Sequence, residues 1–308
     1  MKKDTTKIAV VGSSNMDLVV KSKMIPAIGE TILGGDFIMV PGGKGANQAV
    51  AAAKLGVEVF FIAKLGNDIF AEQSLDNFEK ETVNTKHVVQ TSKAPSGVAL
   101  IMVDDEGNNL IVVAPGANQT LLPADVKRAE SDIASCGAVV AQLEVPLETV
   151  EFAAGLANNA GVPFILDPAP ARELGPELLR MVDVLTPNET EAQILTGIEV
   201  TDEESARAAS RNLLKRDIKA VILTLGSKGF LLADNEETRY ISAQKVDAVD
   251  STAAGDAFTG SLAVGIAENK ALLDAALFAN YVAALSVTKM GAQSSMPTLG
   301  EVESFMNR

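Results

Sequence analysis

Short apolar runs alternate with longer stretches of helical periodicity through most of the chain. Ile8–Val11, Val59–Ala63, Ala138–Ala141, Phe164–Leu166, Val184–Leu185 and Val221–Leu225 read as strands. Between them, Gly45–Leu55, Ile69–Lys80, Leu147–Asn159, Glu203–Lys215, Asp256–Glu268 and Leu272–Thr288 read as helices. The Asp256 helix carries an apolar stripe, Phe258, Leu262 and Ile266, at i, i+4 and i+8. Strand, helix, strand in repetition predicts an α/β fold with a doubly wound, mostly parallel sheet flanked by helices.

Two stretches break the alternation. Thr31–Val40 looks extended and ends in Pro41-Gly42-Gly43. Val98–Val103 and Leu110–Val113 flank Asp104-Asp105-Glu106-Gly107-Asn108, a hairpin signal. With no helices between them, these three strands fit poorly into a parallel sheet. They read either as a small antiparallel β sheet standing off the main body as a lid, or as an extension of the main sheet's edge.

Length and charge narrow the picture. At about 150 residues per domain, 308 residues give two domains or one large α/β unit with an insertion. With no repeat and no low-complexity linker, the expectation is one domain, 1–308, with a lid inserted at about 14–42 and 95–116. Twenty-six Lys and Arg against forty Asp and Glu leave a net charge of −14, which argues against a nucleic-acid partner. Any anionic ligand must then be held by local features. The one cysteine, Cys136, suits a reducing compartment and reads as a buried filler. The apolar run Ile8–Val11 is too short for a leader, and nothing approaches the ~18 apolar residues of a membrane span. A cytoplasmic protein without membrane contact is expected.

Ligands of open α/β sheets bind beyond the carboxyl ends of the strands. Five candidate strands run directly into polar or glycine-rich segments: Gly12-Ser13-Ser14-Asn15-Met16-Asp17, Gln142-Leu143-Glu144, Asp167-Pro168, Thr186-Pro187-Asn188-Glu189-Thr190-Glu191 and Gly226-Ser227-Lys228-Gly229. If the strands are parallel, all five share one edge. The strongest local signal is Val249-Asp250-Ser251-Thr252-Ala253-Ala254-Gly255-Asp256, where small residues lead into a helix and leave its first amides open to an anion. Asp256 is either an ordinary N-cap or a carboxylate that deprotonates a hydroxyl beside that anion. Gly42-Gly43-Lys44-Gly45-Ala46-Asn47-Gln48 is neither a Walker A loop nor a GxGxxG fingerprint. It is a turn before a helix, with Lys44 and Asn47 able to face a ligand.

Asn15 and Asp17, two apart on an extended segment, share a side and could grip vicinal hydroxyls, or form an Asx turn. Asn188 and Glu191 suit a hydrated Mg²⁺ or a helix cap. Asp202-Glu203-Glu204 reads as a solvated first turn. The single histidine, His87, lies in a polar segment and reads as surface, which leaves no place for serine–histidine or histidine–metal chemistry.

Taken with Ala114-Pro115-Gly116-Ala117-Asn118 and Gly291-Ala292-Gln293-Ser294-Ser295, these motifs in this order resemble the PfkB-type carbohydrate kinases and, within them, the ribokinase group. The resemblance runs nearly end to end. It implies ATP-dependent phosphorylation of D-ribose at O5, with Asp256 as base and the amides of Ala253, Ala254 and Gly255 as anion hole. It implies a sugar site from Asn15, Met16, Asp17, Gly43, Lys44, Gly45, Ala46, Asn47, Glu144 and Asp256. Nucleotide contacts would come from Asn188, Thr224, Leu225, Gly226, Ser227, Lys228, Gly229, Gly255, Asp256 and Asn280. Mg²⁺ would accompany ATP, with Glu191 linked to it. K⁺ would be an activating cation held by Asp250, Thr252, Ser286, Lys289, Gly291 and Ser295.

The resemblance further implies a homodimer formed through the lids, whose strands carry apolar residues on both faces. The family more often shows Gly where this chain has Ala253, so position 253 is expected not to need a positive φ. Met16, between two proposed sugar ligands, leaves 2-deoxyribose or another small sugar as an alternative. A non-catalytic sugar- or nucleotide-binding regulator fits less well, because Asp256, Gly255, Asn188 and Glu191 are all present.

Overall fold

A computed structural model describes residues 5–307. Its strands are β1 (Lys7–Val11), β2 (Asn15–Lys21), β3 (Phe37–Gly42), β4 (Glu58–Leu65), β5 (Asn84–Gln90), β6 (Gly97–Val103), β7 (Asn109–Ala114), β8 (Ala138–Ala141), β9 (Phe164–Leu166), β10 (Val184–Leu185), β11 (Ala220–Thr224), β12 (Gly229–Asp234) and β13 (Thr238–Ser242). Nine of them build one sheet in the order β13-β12-β11-β10-β9-β8-β1-β4-β5. From β11 to β5 every pairing is parallel, while β12 and β13 close the far edge as antiparallel returns. The five polar segments that follow β1, β8, β9, β10 and β11 therefore do share one edge. The chain steps to opposite sides of β1, so this edge is also the switch point where open α/β sheets place their ligands.

Alternation along β1 sorts its residues between two cores. Ile8 and Val10 pack under the helices Lys44–Lys54, Ala254–Ala267 and Leu272–Ser286, while Ala9 and Val11 face Leu147–Ala160 and Glu203–Leu214. The Asp202 side chain caps the last of these through the Ser205 amide, as a first-turn carboxylate should. The Ala254 helix is buried almost all round and crosses Lys44–Lys54 at very short range. A Cβ at Gly260 would lie 2.6 Å from the Gln48 carbonyl, so glycine sets that approach.

Four expectations change. Thr31–Val40 is not one extended element: the strand begins only at Phe37 and runs on to Gly42. The small sheet stands apart from the large one as expected, in the order β3-β2-β6-β7, but it also takes β2 from the polar run after β1. Its outer pairs are antiparallel, but β2 and β6 are parallel. They follow β1 and β5, which leave the large sheet in the same direction, so they enter the small sheet side by side.

His87 is not a surface residue. It lies on β5 at 7% exposure, against the Phe60 ring, with Nε2 2.6 Å from Asp132 Oδ2. A polar segment that alternates on an edge strand still turns every second side chain inward. Cys136 is the buried filler expected; burial, with Asp132 nearby, pushes its thiol up to about 12. The fourth change concerns Ala253 and belongs to the site.

Replacing Gly260 by Ala should lower stability by about 1–2 kcal/mol, because the new methyl must displace the Gln48 backbone and helix propensity returns only part of that cost. The urea midpoint measures it.

Candidate active site

The site is built around the point where Lys44–Lys54 meets the exits of β1, β8 and β9. Gly43 starts that helix at φ 91°, and a Cβ there would lie 2.7 Å from the Asn15 amide nitrogen. This close approach brings Lys44, Asn47 and Gln48 to the strand ends. Glu144 Oε2 accepts from Ser13 Oγ and from the Lys44 amide (3.1 Å), tying the β8 exit to the β1 exit.

Asn15 and Asp17 share a face of β2. Asn15 Oδ1 accepts from Asn118 Nδ2 (2.8 Å), and Asn118 also exchanges bonds with the Ser14 backbone (3.0 and 3.2 Å). The arrangement is a strand, not an Asx turn. Gly42 leaves room for the Asp17 carboxylate, since a Cβ there would fall 2.3 Å from Oδ2. Met16, at 2% exposure, points to the opposite face, so its side chain is not presented beside Asn15 and Asp17. Gly45 and Ala46 are buried in the first turn of the Lys44 helix, where their amides donate to Ser13 Oγ and Ser13 O.

Asp256 is 5% exposed, in the first turn of Ala254–Ala267. It is no N-cap. Ala253 occupies that position, and no side chain caps the helix. Ala253 has φ 58° and ψ 17°, a left-handed conformation that its identity argues against. The Ala254 amide reaches Ser251 O at 3.2 Å, whereas those of Ala253, Gly255 and Asp256 have no acceptor among the described residues. An anion before this helix would meet that open set.

The Asp256 carboxylate accepts from Asn47 Nδ2 (2.9 Å) on Oδ2 and from Gln48 Nε2 (3.1 Å) on Oδ1. Gln48 Nε2 also donates to Asp167 Oδ2 (2.7 Å), its Oε1 accepts from Gln142 Nε2 (2.6 Å), and Gln293 Nε2 donates to Asn47 Oδ1 (3.2 Å). A cleft of about 180 Å³ opens between Lys44, Asp167, Asn188, Glu191, Thr224 and the Ala253–Asp256 turn.

Burial works against the Lys44 charge, but Asp256, Asp167, Glu144 and Glu191 outweigh it and hold the ammonium above its ordinary range. Burial also pushes the Asp167 carboxyl up to about 8, against the pull of Lys44. The Asp17 carboxyl rises to about 6 through burial, then Glu144 and Asp256. Asp167, Gln48, Gln142 and Gln293 join this network although the sequence reading gave them no role; Asp167 and Gln142 lay in strand-exit runs, and Gln48 and Gln293 inside two of the motifs.

On the nucleotide side, Asn188 and Glu191 form a reciprocal helix cap at 2.9 Å each way. The Glu191 carboxyl is nonetheless raised, chiefly by burial, and it faces the cleft. Thr224 bridges to Asn188, and Gly226, Ser227 and Lys228 follow it as an exposed turn ending at Gly229. Leu225 is buried beneath that turn. Asn280 Nδ2 donates to Ser242 O (2.9 Å), fixing the chain after β13.

Several residues expected to hold a monovalent cation are linked by hydrogen bonds. Asp250 accepts from Thr252 N (2.9 Å), Thr252 Oγ1 (2.6 Å) and Gly291 N (2.8 Å). Ser286 and Ser295 are fully buried nearby, while Lys289 Nζ turns away to Glu301 (2.7 Å).

The sequence matches the pfkB family of carbohydrate kinases over residues 5–299. The chain belongs to this family. A ribokinase of Haemophilus influenzae is 43% identical over 299 residues, covering 97% of this chain and 98% of that protein. A deoxyribokinase of Salmonella typhi is 40% identical over 301 residues, covering 97% and 98%. The structure of Arabidopsis thaliana ribokinase complexed with ribose and ATP superposes with a TM-score of 0.91 at 32% identity, covering 99% of this chain and all of that one. The protein is thus a sugar kinase with the α/β architecture of its relatives.

If Asp17 faces the sugar, as its motif position implies, its carboxyl would accept from a sugar hydroxyl, more strongly when ionised. Its value of about 6 means that acidification protonates it within the working range. The sugar KM should rise about 3- to 10-fold between about pH 7.5 and about pH 5. In Asp17→Asn it should be uniformly high and lose that rise; an unchanged slope in the variant removes Asp17 from sugar binding.

Proposed function

We propose that the protein transfers the γ-phosphoryl group of ATP to O5 of D-ribose, giving D-ribose 5-phosphate. The observation that carries this reading is the buried Asp256 carboxylate standing beside unpartnered first-turn amides, with Asn15, Asp17, Asn47 and Glu144 around it. Asp256 takes the O5 proton as the O5–P bond forms and the bond from phosphorus to the β-phosphate bridge oxygen breaks, releasing ADP. The Ala253, Gly255 and Asp256 amides and the Lys44 ammonium face the charge that spreads over the transferred group.

Mg²⁺ would enter with ATP. Among the described residues no three His, Cys, Asp or Glu side chains form a metal cage. One raised carboxyl at the cleft, Glu191, is the kind of partner a phosphate-borne, largely hydrated Mg²⁺ uses. For K⁺, the carboxylate, hydroxyl and backbone oxygens around Asp250, Thr252, Ser286, Lys289, Gly291 and Ser295 are suitable donors, and the Lys289 ammonium is directed elsewhere.

The chain works as one kinase domain, with residues about 14–42 and 95–116 as a lid that excludes water from the transfer. One face of the lid exposes Phe37, Met39, Leu100 and Val112, and Ile111 is exposed on the other, so β7 is bare on both faces. A sheet needs a second layer; a second copy's lid supplies it in a homodimer. An unpaired, buried Cys136 fits a reducing cytoplasm.

D-ribose and 2-deoxy-D-ribose assayed side by side with MgATP, in K⁺ and in Na⁺, test the assignment. Ribose should turn over better, and faster in K⁺; preference for deoxyribose moves the substrate, and no turnover of either overturns the reading. Asp256→Asn should lower kcat at least ~10²-fold. Light scattering should give a dimer at micromolar concentration, and Ile111→Asp with Val112→Lys should give a monomer.

A further inference from the structure

Each oxygen of the Asp256 carboxylate is held by a primary amide. One donor, Asn47, belongs to the set that faces the sugar. The other, Gln48, is fully buried and has no access to a ligand. Its amide has two hydrogens and spends both on carboxyl groups: one on Asp256 Oδ1 (3.1 Å), the other on Asp167 Oδ2 (2.7 Å). Its oxygen accepts from Gln142 Nε2 (2.6 Å) on the neighbouring strand exit.

An amide can turn over and exchange its oxygen for its nitrogen at little cost when its surroundings are neutral to the change. Here they are not. A turned Gln48 would set its carbonyl against the Asp256 carboxylate and its NH₂ against the Gln142 NH₂. Gln142 is itself fully buried over Gly12, and its Oε1 has no hydrogen-bond partner among the described residues, so its direction is held by packing and by the bond it gives Gln48.

We infer that Gln48 is a positioning residue for phosphoryl transfer: locked in one orientation by Gln142, its amide bridges Asp256 and Asp167 and fixes the direction in which the Asp256 carboxylate meets the sugar hydroxyl. The inference rests on Asp256 being the proton acceptor. It also gives Asp167 a part. Two carboxyl groups this close share a proton when nothing separates them, and a hydrogen bond from Asp167 to Asp256 would occupy the lone pair meant for the sugar. The Gln48 NH₂ stands between them. The raised Asp167 carboxyl is consistent with this, since a protonated Asp167 is the state in which the separation matters.

The test is a double-mutant cycle on kcat and sugar KM, with D-ribose and saturating MgATP. Gln48→Met keeps the length of the side chain and removes its hydrogen bonds. It should lower kcat about 10- to 100-fold, the scale of a misaligned reacting group, and leave KM within about threefold. In an Asp256→Asn background no carboxylate remains to be aligned, so the same substitution should cost less than about threefold. A merely structural role would lower turnover by the same factor in both backgrounds, and that result overturns the inference. So does a Gln48→Met enzyme with kcat within about twofold of the unsubstituted protein.

Gln142→Met releases the lock without touching either carboxyl group and should lie between the two. If Gln48→Met does not fold, normal kcat in Gln142→Met is the overturning result. Near-normal turnover in Asp256→Asn alone defeats the base assignment and this inference together. Loss there with normal Gln48→Met turnover defeats only the inference.

Discussion

The ammonium of Lys44 stands among the carboxyl groups of Asp256, Asp167, Glu144 and Glu191, and the site depends on this balance. Removing a lysine from water favours its neutral form, but the surrounding carboxylates more than reverse that. The exchange works in both directions, because Lys44 pulls the Asp167 and Glu191 carboxyls down against the burial that raises them. Lys44 makes no ion pair within 4.0 Å among the described residues, so its charge is shared by the ring and not spent on one partner. A hollow with this excess of acid, in a chain of net charge −14, cannot draw in a polyphosphate through its overall field. Attraction must come from what is aimed and local: Lys44 and the open amides before the Ala254 helix.

Much of this arrangement was legible in the sequence, for reasons tied to particular elements. β1, β4, β8, β9 and β11 are buried on both faces, so their apolar runs stand out, and the rule that ligands gather at strand ends put Asn15, Asp17, Glu144, Asn188 and Glu191 on one edge. β5 and β13 were not legible. Asn84-Thr85-Lys86-His87 and Thr238-Arg239-Tyr240 are edge strands with a wet face, and their mixed polarity reads as loop. β2 was hidden because its first residues look like a polar strand exit. The amide relay was beyond reach for another reason. Gln48 is separated from Gln142, Asp167 and Asp256 by 94, 119 and 208 positions, and no local spacing encodes a contact of that kind. The motif resemblance supplied roles for residues; it did not supply the bonds that hold them.

Ala253 shows where residue identity and geometry conflict. A left-handed alanine costs about 1–2 kcal/mol, and glycine would avoid that strain. Yet the Ala253 carbonyl is fixed by the Ala257 amide at 2.8 Å and the Ala254 amide by Ser251 O, so the turn is over-determined by its neighbours. A left-handed residue followed by right-handed ones points successive amides into a common concavity, which is how backbone makes an anion nest. Were residue 253 to relax into the right-handed region, the helix would simply begin earlier, and its open amides would point along the chain instead of into the cleft. A strained residue held this firmly by its neighbours marks a candidate functional turn. Alanine adds something that glycine lacks, because it has fewer alternative conformations to visit, both unfolded and in any local opening of the turn. The open amides are then already arranged before any anion meets them, and donors fixed in advance need no reorganisation when it does.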